Sequence, residues 1–286
     1  MNYSLPSMQQ LLEAGVHFGH QVRRGHPRMR EYIFGVRDGV HIINLEHSDK
    51  LLKEAAEYVN KLGQEGKIIL FVGTKKQAQP IVAELAKKVG TPFVNYRWIG
   101  GTLTNFEEIR KNIKKLQELK EKKEKGELSR TKKEQLLISR KLEKFDLEWG
   151  GVARMDQLPD ALFIIDCVTE KTAVAEANRM KIPLVAITDT NCNPALVEYP
   201  VPGNDDATKS IKIISEAIAS AYEEGLKENQ KSKVKDQKEE KREVEDVKKG
   251  PSVKTAGEVE EGVSPEIADL EKKVEKEVVE ESKGVV

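Results

Sequence analysis

Between Met8 and Val201, apolar runs of strand length alternate with segments whose apolar positions recur every three or four residues. That alternation predicts an α/β fold, a mostly parallel sheet covered by helices on both faces. The strand-length runs are Ile33 to Phe34 and Val40 to Leu45, flanking Arg37-Asp38-Gly39 as a hairpin turn, then Ile68 to Val72, Pro92 to Val94, Ala161 to Asp166 and Leu184 to Thr188. An unbroken run such as Ile68 to Val72 predicts a strand buried on both sides.

Helical spacing fills the gaps. Ser48 is the expected cap of a helix whose apolar face is Leu51, Leu52, Ala55, Ala56, Val59 and Leu62, stopped by Gly63 or Gly66. Thr74 with Gln77 reads as a capping box opening the next helix, with Ile81, Val82, Leu85 and Val89 inward and Gly90 after its end, while Pro80 delays or kinks it. Two more helices are expected, from Thr169 to about Met180 and from about Asp206 to Tyr222, with Gly225 ending the folded body.

The period changes between Phe106 and Trp149. Ile109, Ile113, Leu116 and Leu119 form one narrow stripe and Ile138, Leu142, Phe145 and Trp149 a second; Lys125-Gly126-Glu127 breaks the run and Thr131 with Glu134 offers a second capping box. The expectation is an antiparallel helical hairpin (106–149) inserted into an α/β domain made of 1–105 and 150–225. Residues 226–286 contain no Trp, Tyr or Phe and too little apolar area to offset chain entropy, so they read as a charged tail, disordered or transiently helical.

Charge changes the picture. Over the whole chain Lys and Arg balance Asp and Glu at 48 each, yet from Leu226 onward the count is 14 against 17, so the first 225 residues carry a net +3. That excess is too small to name a partner, and clustering has to carry the case. The two cysteines, Cys167 and Cys192, form no CxxC pair, which fits a reducing compartment such as the cytoplasm. No apolar run reaches membrane-spanning length.

Arg23, Arg24, Arg28 and Arg30 stand within eight residues, interleaved with Gly25, His26 and Pro27 and no acid. Guanidinium pairs bidentately with phosphate and the irregular backbone can follow a groove, so RNA contact is the first reading and a solvated loop the second. Gly73-Thr74-Lys75-Lys76 follows a strand and opens a helix, where backbone donors and the lysines Lys75 and Lys76 would meet an anion. The nucleotide pattern G-x-x-x-x-G-K-[ST] is missing there, which disfavours a nucleotide cofactor. Tyr96-Arg97-Trp98 precedes Gly100-Gly101-Thr102: Arg97 and Trp98 could stack on unpaired bases, or Trp98 could be a buried anchor at the base of the hairpin.

The hairpin carries a net charge of +6 over residues 107–144, with Arg110, Lys111, Lys114 and Lys115 grouped on its first helix. A protruding basic hairpin suits ribosomal RNA, although charged helices are often only solvated faces. All five histidines fall between His17 and His47, and His17 with His20 has a permissible ligand spacing. Without a cysteine pair or an H-E-x-x-H pattern, structural or stacking roles are favoured over a metal. Asp160, Asp166, Asp189 and Asp205 stand near strand ends, but neither G-x-S-x-G nor G-x-G-x-x-G accompanies them. Asp189-Thr190-Asn191-Cys192-Asn193-Pro194 reads more simply as a turn.

Taken together, several stretches resemble one family, the bacterial-type small-subunit ribosomal protein conventionally numbered two. They are Leu12 to Leu45, Lys67 to Gln79, Val94 to Ile113 and Pro159 to Ile214, and they cover most of residues 8–225 in the family's order. The resemblance implies a flavodoxin-like sheet with an inserted hairpin and a structural role in the translating ribosome, with no catalysis; no cofactor, no metal, no membrane and no homo-oligomer are expected of the chain. It implies contact with small-subunit ribosomal RNA and with neighbouring proteins, including the largest of that subunit. Carried onto this chain, the RNA side would include Arg23, Arg24, Arg28, Lys75, Lys76, Arg97, Trp98, Arg110 and Lys111. The basic residues Arg30, Lys114 and Lys115 extend the same clusters.

Overall fold

A computed structural model describes residues 3–125, 132–153 and 155–248. Five strands, β4 (Ile69–Val72), β5 (Phe93–Val94), β6 (Ala161–Ile165), β7 (Leu184–Thr188) and β8 (Tyr199–Pro202), form a parallel sheet in the order β5-β4-β6-β7-β8. Numbered among themselves they run 2-1-3-4-5, the flavodoxin-like doubly wound order, with its switch point between β4 and β6. Every position of β4, β6 and β7 is buried.

Alternation along these strands builds two cores. Ile69, Phe71, Phe163, Ile165, Val185 and Ile187 face helices α2 (Leu45–Gln64), α3 (Gln79–Val89) and α7 (Thr208–Lys248). Leu70, Val72, Leu162, Ile164, Leu184 and Ala186 face α6 (Lys171–Met180) and the foot of the hairpin. The period of two sends successive side chains to opposite faces, so a strand covered on both sides must be apolar throughout. A smaller antiparallel sheet, β1 (Phe18–Gln21), β2 (Ile33–Arg37) and β3 (Val40–Ile43), has the order β1-β3-β2.

Several boundaries move for identifiable reasons. Asn44, in extended conformation after β3, caps α2 by accepting from Glu46 N at 3.0 Å, so the helix starts ahead of Ser48. Gly66, at φ +70°, follows its end, whereas Gly63 lies inside the helix with no room for a Cβ against Tyr222 O of α7. Pro80 delays α3 to Gln79, and no capping box forms at Thr74. Two strands go beyond the sequence expectation: β1 is Phe-Gly-His-Gln, and β8 is Tyr-Pro-Val-Pro, whose prolines are tolerated because β8 is a sheet edge.

The hairpin consists of α4 (Phe106–Glu124) and α5 (Lys132–Trp149), placed in the crossover from β5 to β6. Ile109, Ile113, Leu142 and Trp149 are buried in one cluster, with Leu119, Ile138 and Phe145 packed against it, and Lys120 Nζ reaches Asp146 at 2.5 Å from the facing helix. The capping box expected at Thr131 lies outside the described residues. Helix α7 does not stop at Gly225; it runs to Lys248 through a close crossing in which a Cβ on Gly225 would meet Asn60 O of α2. The chain divides into two compact units, the first ending at Gln237. The later part of the expected tail, residues 249–286, also lies outside the described residues.

Candidate nucleic-acid interface

The arginine-rich segment is held by its backbone and leaves its guanidiniums outward. Val22 N donates to Gly39 O at 3.0 Å, His26 N donates to Thr190 O at 2.7 Å, and Met29 is fully buried. Between these anchors, Arg23 and Arg24 lie on one 3-10 turn and Arg28 and Arg30 on the next, which Pro27 opens. All four are exposed. Arg23 Nε donates to Gln21 Oε1 at 2.9 Å, and among the described residues none of the four joins an ion pair. Arg37, at the hairpin turn beside Val22, adds a fifth exposed guanidinium that the sequence presents only as part of a turn.

Lys76, Arg97, Arg110, Lys111, Lys114 and Lys115 are exposed as well. The last four make one face of α4, since positions i, i+1, i+4 and i+5 are neighbours on a helix. Lys111 also pairs with Glu108 at 3.1 Å, an exposed contact worth little.

Two expected contacts need correction. Lys75 turns inward: its Nζ lies 2.9 Å from Asp166 Oδ2, 2.6 Å from Asp205 Oδ1 and 2.8 Å from Asp206 Oδ1. Burial works to lower its pKa, but Asp205, Asp206 and Asp166 outweigh that and hold it above the ordinary lysine value. Its charge is therefore already satisfied by internal carboxylates. Trp98 is buried, and its Nε1 donates to Glu176 Oε1 at 3.2 Å. Its indole is the anchor of the loop and offers no face to a base.

Glu176 organises that loop. Its carboxylate also accepts from Gly101 N, Leu103 N, Thr104 N and Thr104 Oγ1, so burial, which raises its pKa, is overcome by these donors and the group sits below the usual glutamate value. The glycines that suggest close approach by a nucleic acid instead let the backbone wrap an internal anion.

The switch-point crevice is filled in the same way. Thr74 N, where a phosphate would sit at the strand end, donates to Glu170 Oε1 at 2.9 Å, and the Thr74 hydroxyl donates to the same oxygen. Burial raises the Glu170 pKa. Lys75 and Asp166 close the remainder.

Beside this crevice acids outnumber bases. His20 Nδ1 lies 3.1 Å from Asp189 Oδ2, and its pKa is raised chiefly by that hydrogen bond. Asp205 is pushed up to about 7 by burial and then by Asp166 and Asp189, against the pull of Lys75, and its Oδ2 is buried without a partner. His20, Asp189 and Asp205 present ligand atoms within 4.8 Å of one another, so they are the described residues able to hold a metal ion. Spacing alone singles out His17 with His20; His17 is absent from this group, and the carboxylates that complete it are remote in sequence.

The chain matches the family model described as Ribosomal protein S2 over residues 11–225. It is 47% identical to the small ribosomal subunit protein uS2 of Helicobacter hepaticus over 224 residues, which is 78% of this chain and 85% of that one. To the uS2 protein of Nitratiruptor sp. it is 50% identical over 220 residues, 77% of this chain and 82% of the relative. To that of Wolinella succinogenes it is 47% identical over 220 residues, covering 77% and 81%.

Proposed function

The chain belongs to the ribosomal protein S2 family, and from that membership we propose that it is a structural constituent of the small ribosomal subunit, acting in translation through contact with ribosomal RNA and neighbouring proteins. One observation carries the RNA contact: four exposed arginines, free of ion pairs among the described residues, stand on a segment whose backbone is fixed at both ends. Preorganised guanidiniums without an internal anion gain most when they meet phosphate. The exposed face Arg110, Lys111, Lys114 and Lys115 provides a second contact, with Lys76 and Arg97 as further single cations.

The neighbouring proteins include the largest of the subunit, and the protein works in the ribosome of the cytoplasm; no described helix is long and apolar enough to cross a membrane. The division of the chain that fits this role is an α/β domain of 1–105 and 150–225 carrying an inserted hairpin of 106–149, with α7 continuing past it. A nucleotide-binding reading of the same fold is disfavoured because Glu170 and Lys75 occupy the crevice that phosphate would need.

The test is binding of the purified chain to deproteinised small-subunit RNA across a salt series. Each phosphate that the protein neutralises contributes about 0.7 to 0.9 to the slope of log K against log salt. Replacing Arg23, Arg24, Arg28 and Arg30 by Ala should therefore make the slope shallower by about 3. An unchanged slope would remove this segment from the interface.

A further inference from the structure

Helix α5 bears two stripes of the same 4-3-4 spacing on opposite faces. The inner stripe, Ile138, Leu142, Phe145 and Trp149, closes on α4. Two positions ahead of each lie Leu136, Arg140, Glu143 and Leu147, rotated by about 200° at 3.6 residues per turn. This outer stripe is uncovered: Leu136 is 53%, Leu147 58% and the adjoining Leu137 56% exposed. Among the described residues of the hairpin, the exposed large hydrophobics all belong to α5 and none to α4. Scattered surface leucines mean little, but two aligned on one helix face with a third flanking them, without a counterpart among the described residues of α4, mark a surface that something else covers.

The carboxy-terminal end of this stripe runs into a cavity. About 690 Å³ of space lies between α5, α3 and the β5 edge, lined in part by Leu147, Pro92, Phe93, Lys87 and Asp146. A concave site can fully desolvate an apolar anchor from a partner, the setting in which single side chains contribute most to binding.

We propose that the outer face of α5 is a docking surface for an amphipathic helix of a neighbouring protein, with acidic residues opposite Lys133 and Arg140 and an apolar anchor in the cavity beside Leu147. This rests on the reading that the chain is seated among other proteins in the small subunit. The charges on this face set the partner's pattern: Lys133 and Arg140 are exposed beside Leu136 and call for acids, Glu143, exposed on the same stripe, calls for one base, and Asp146 is neutralised by Lys120 from α4. Leu136 and Leu147 are 11 residues apart, about 16 Å along the helix, matching apolar residues three turns apart on a second helix. Phosphate would satisfy the cations and leave the leucines wet. The hairpin thereby divides its work, with α4 turned to RNA and α5 to protein.

A photoreactive side chain introduced at Leu136, and separately at Lys114, tests this in small subunits isolated from cells. The adduct at Leu136 should run at the mass of two joined proteins, survive ribonuclease and map to an acidic, apolar segment; the adduct at Lys114 should collapse on ribonuclease treatment. A ribonuclease-sensitive adduct at Leu136, or none there while Lys114 reacts, would overturn the docking surface. Absence of the unaltered protein from the subunit fraction would count against the ribosomal reading instead.

Discussion

The Lys75 ammonium lies 2.6 Å from the Asp205 carboxylate, with Asp166 and Asp206 completing its shell. A lysine that the sequence places at the mouth of a sheet, in position to meet an anion, is thereby a structural cation. Replacing Lys75 by Ala leaves buried carboxylates facing one another. Removing one partner from a buried ionic group costs about 3 to 5 kcal/mol, so urea unfolding of Lys75→Ala should show a large drop in midpoint. The salt slope of RNA binding should stay at the unaltered value while the variant is folded.

Glu176 gives stability a defined pH dependence. Its folded pKa lies below the ordinary 4.5 because its donors favour the carboxylate. The stabilisation is therefore fully present above that value and is lost as pH falls through the lower folded pKa. In urea titrations from pH 6 downward, the stability difference between the unaltered chain and Glu176→Gln should be constant near neutrality and shrink below about pH 4.5. A difference that grows on acidification would contradict the geometry.

Trp98 and Trp149 are both buried, and they are the two tryptophans of the chain. Trp98→Phe keeps an aromatic ring but removes the donor to Glu176, which should lower stability by about 1.5 to 3 kcal/mol, the range for a hydrogen bond to a charged group. Binding to RNA should keep its salt slope. If the variant instead remains fully stable and binds RNA several-fold more weakly, Trp98 is a stacking residue after all.

The crossing of α2 and α7 admits no side chain at Gly225, whose added Cβ would collide with Asn60 O. Gly225→Ala should therefore cost about 1 to 3 kcal/mol by overpacking, despite the better helix propensity of alanine. Thermal unfolding of the variant checks it; a raised midpoint would mean that the helices do not cross at this distance.

The central sheet is legible because β4 and β6 are apolar at every position and β7 at all but Thr188, a signal that needs no tertiary information. The hairpin is legible from two stripes at helical spacing. Strand β8 is not, because its prolines argue against a strand unless the edge position is known, and β1 has too few apolar residues to register. At the site, the exposed arginines of a stretch with no acid inside it, residues 23–30, also join no ion pair among the described residues. Lys75 and Trp98 differ because their partners, Asp205 and Glu176, lie 130 and 78 residues away. Sequence shows which side chains have charge or an aromatic face; only the fold shows whether that capacity is already used.

The most direct test of the account follows the protein through a density gradient of cell extract at low and high salt, beside the variant with Arg23, Arg24, Arg28 and Arg30 changed to Ala. The account predicts that the unaltered chain travels with the small subunit and that the variant, folded to the same midpoint, is released at lower salt. An unaltered chain that stays in the soluble fraction at every salt would contradict it.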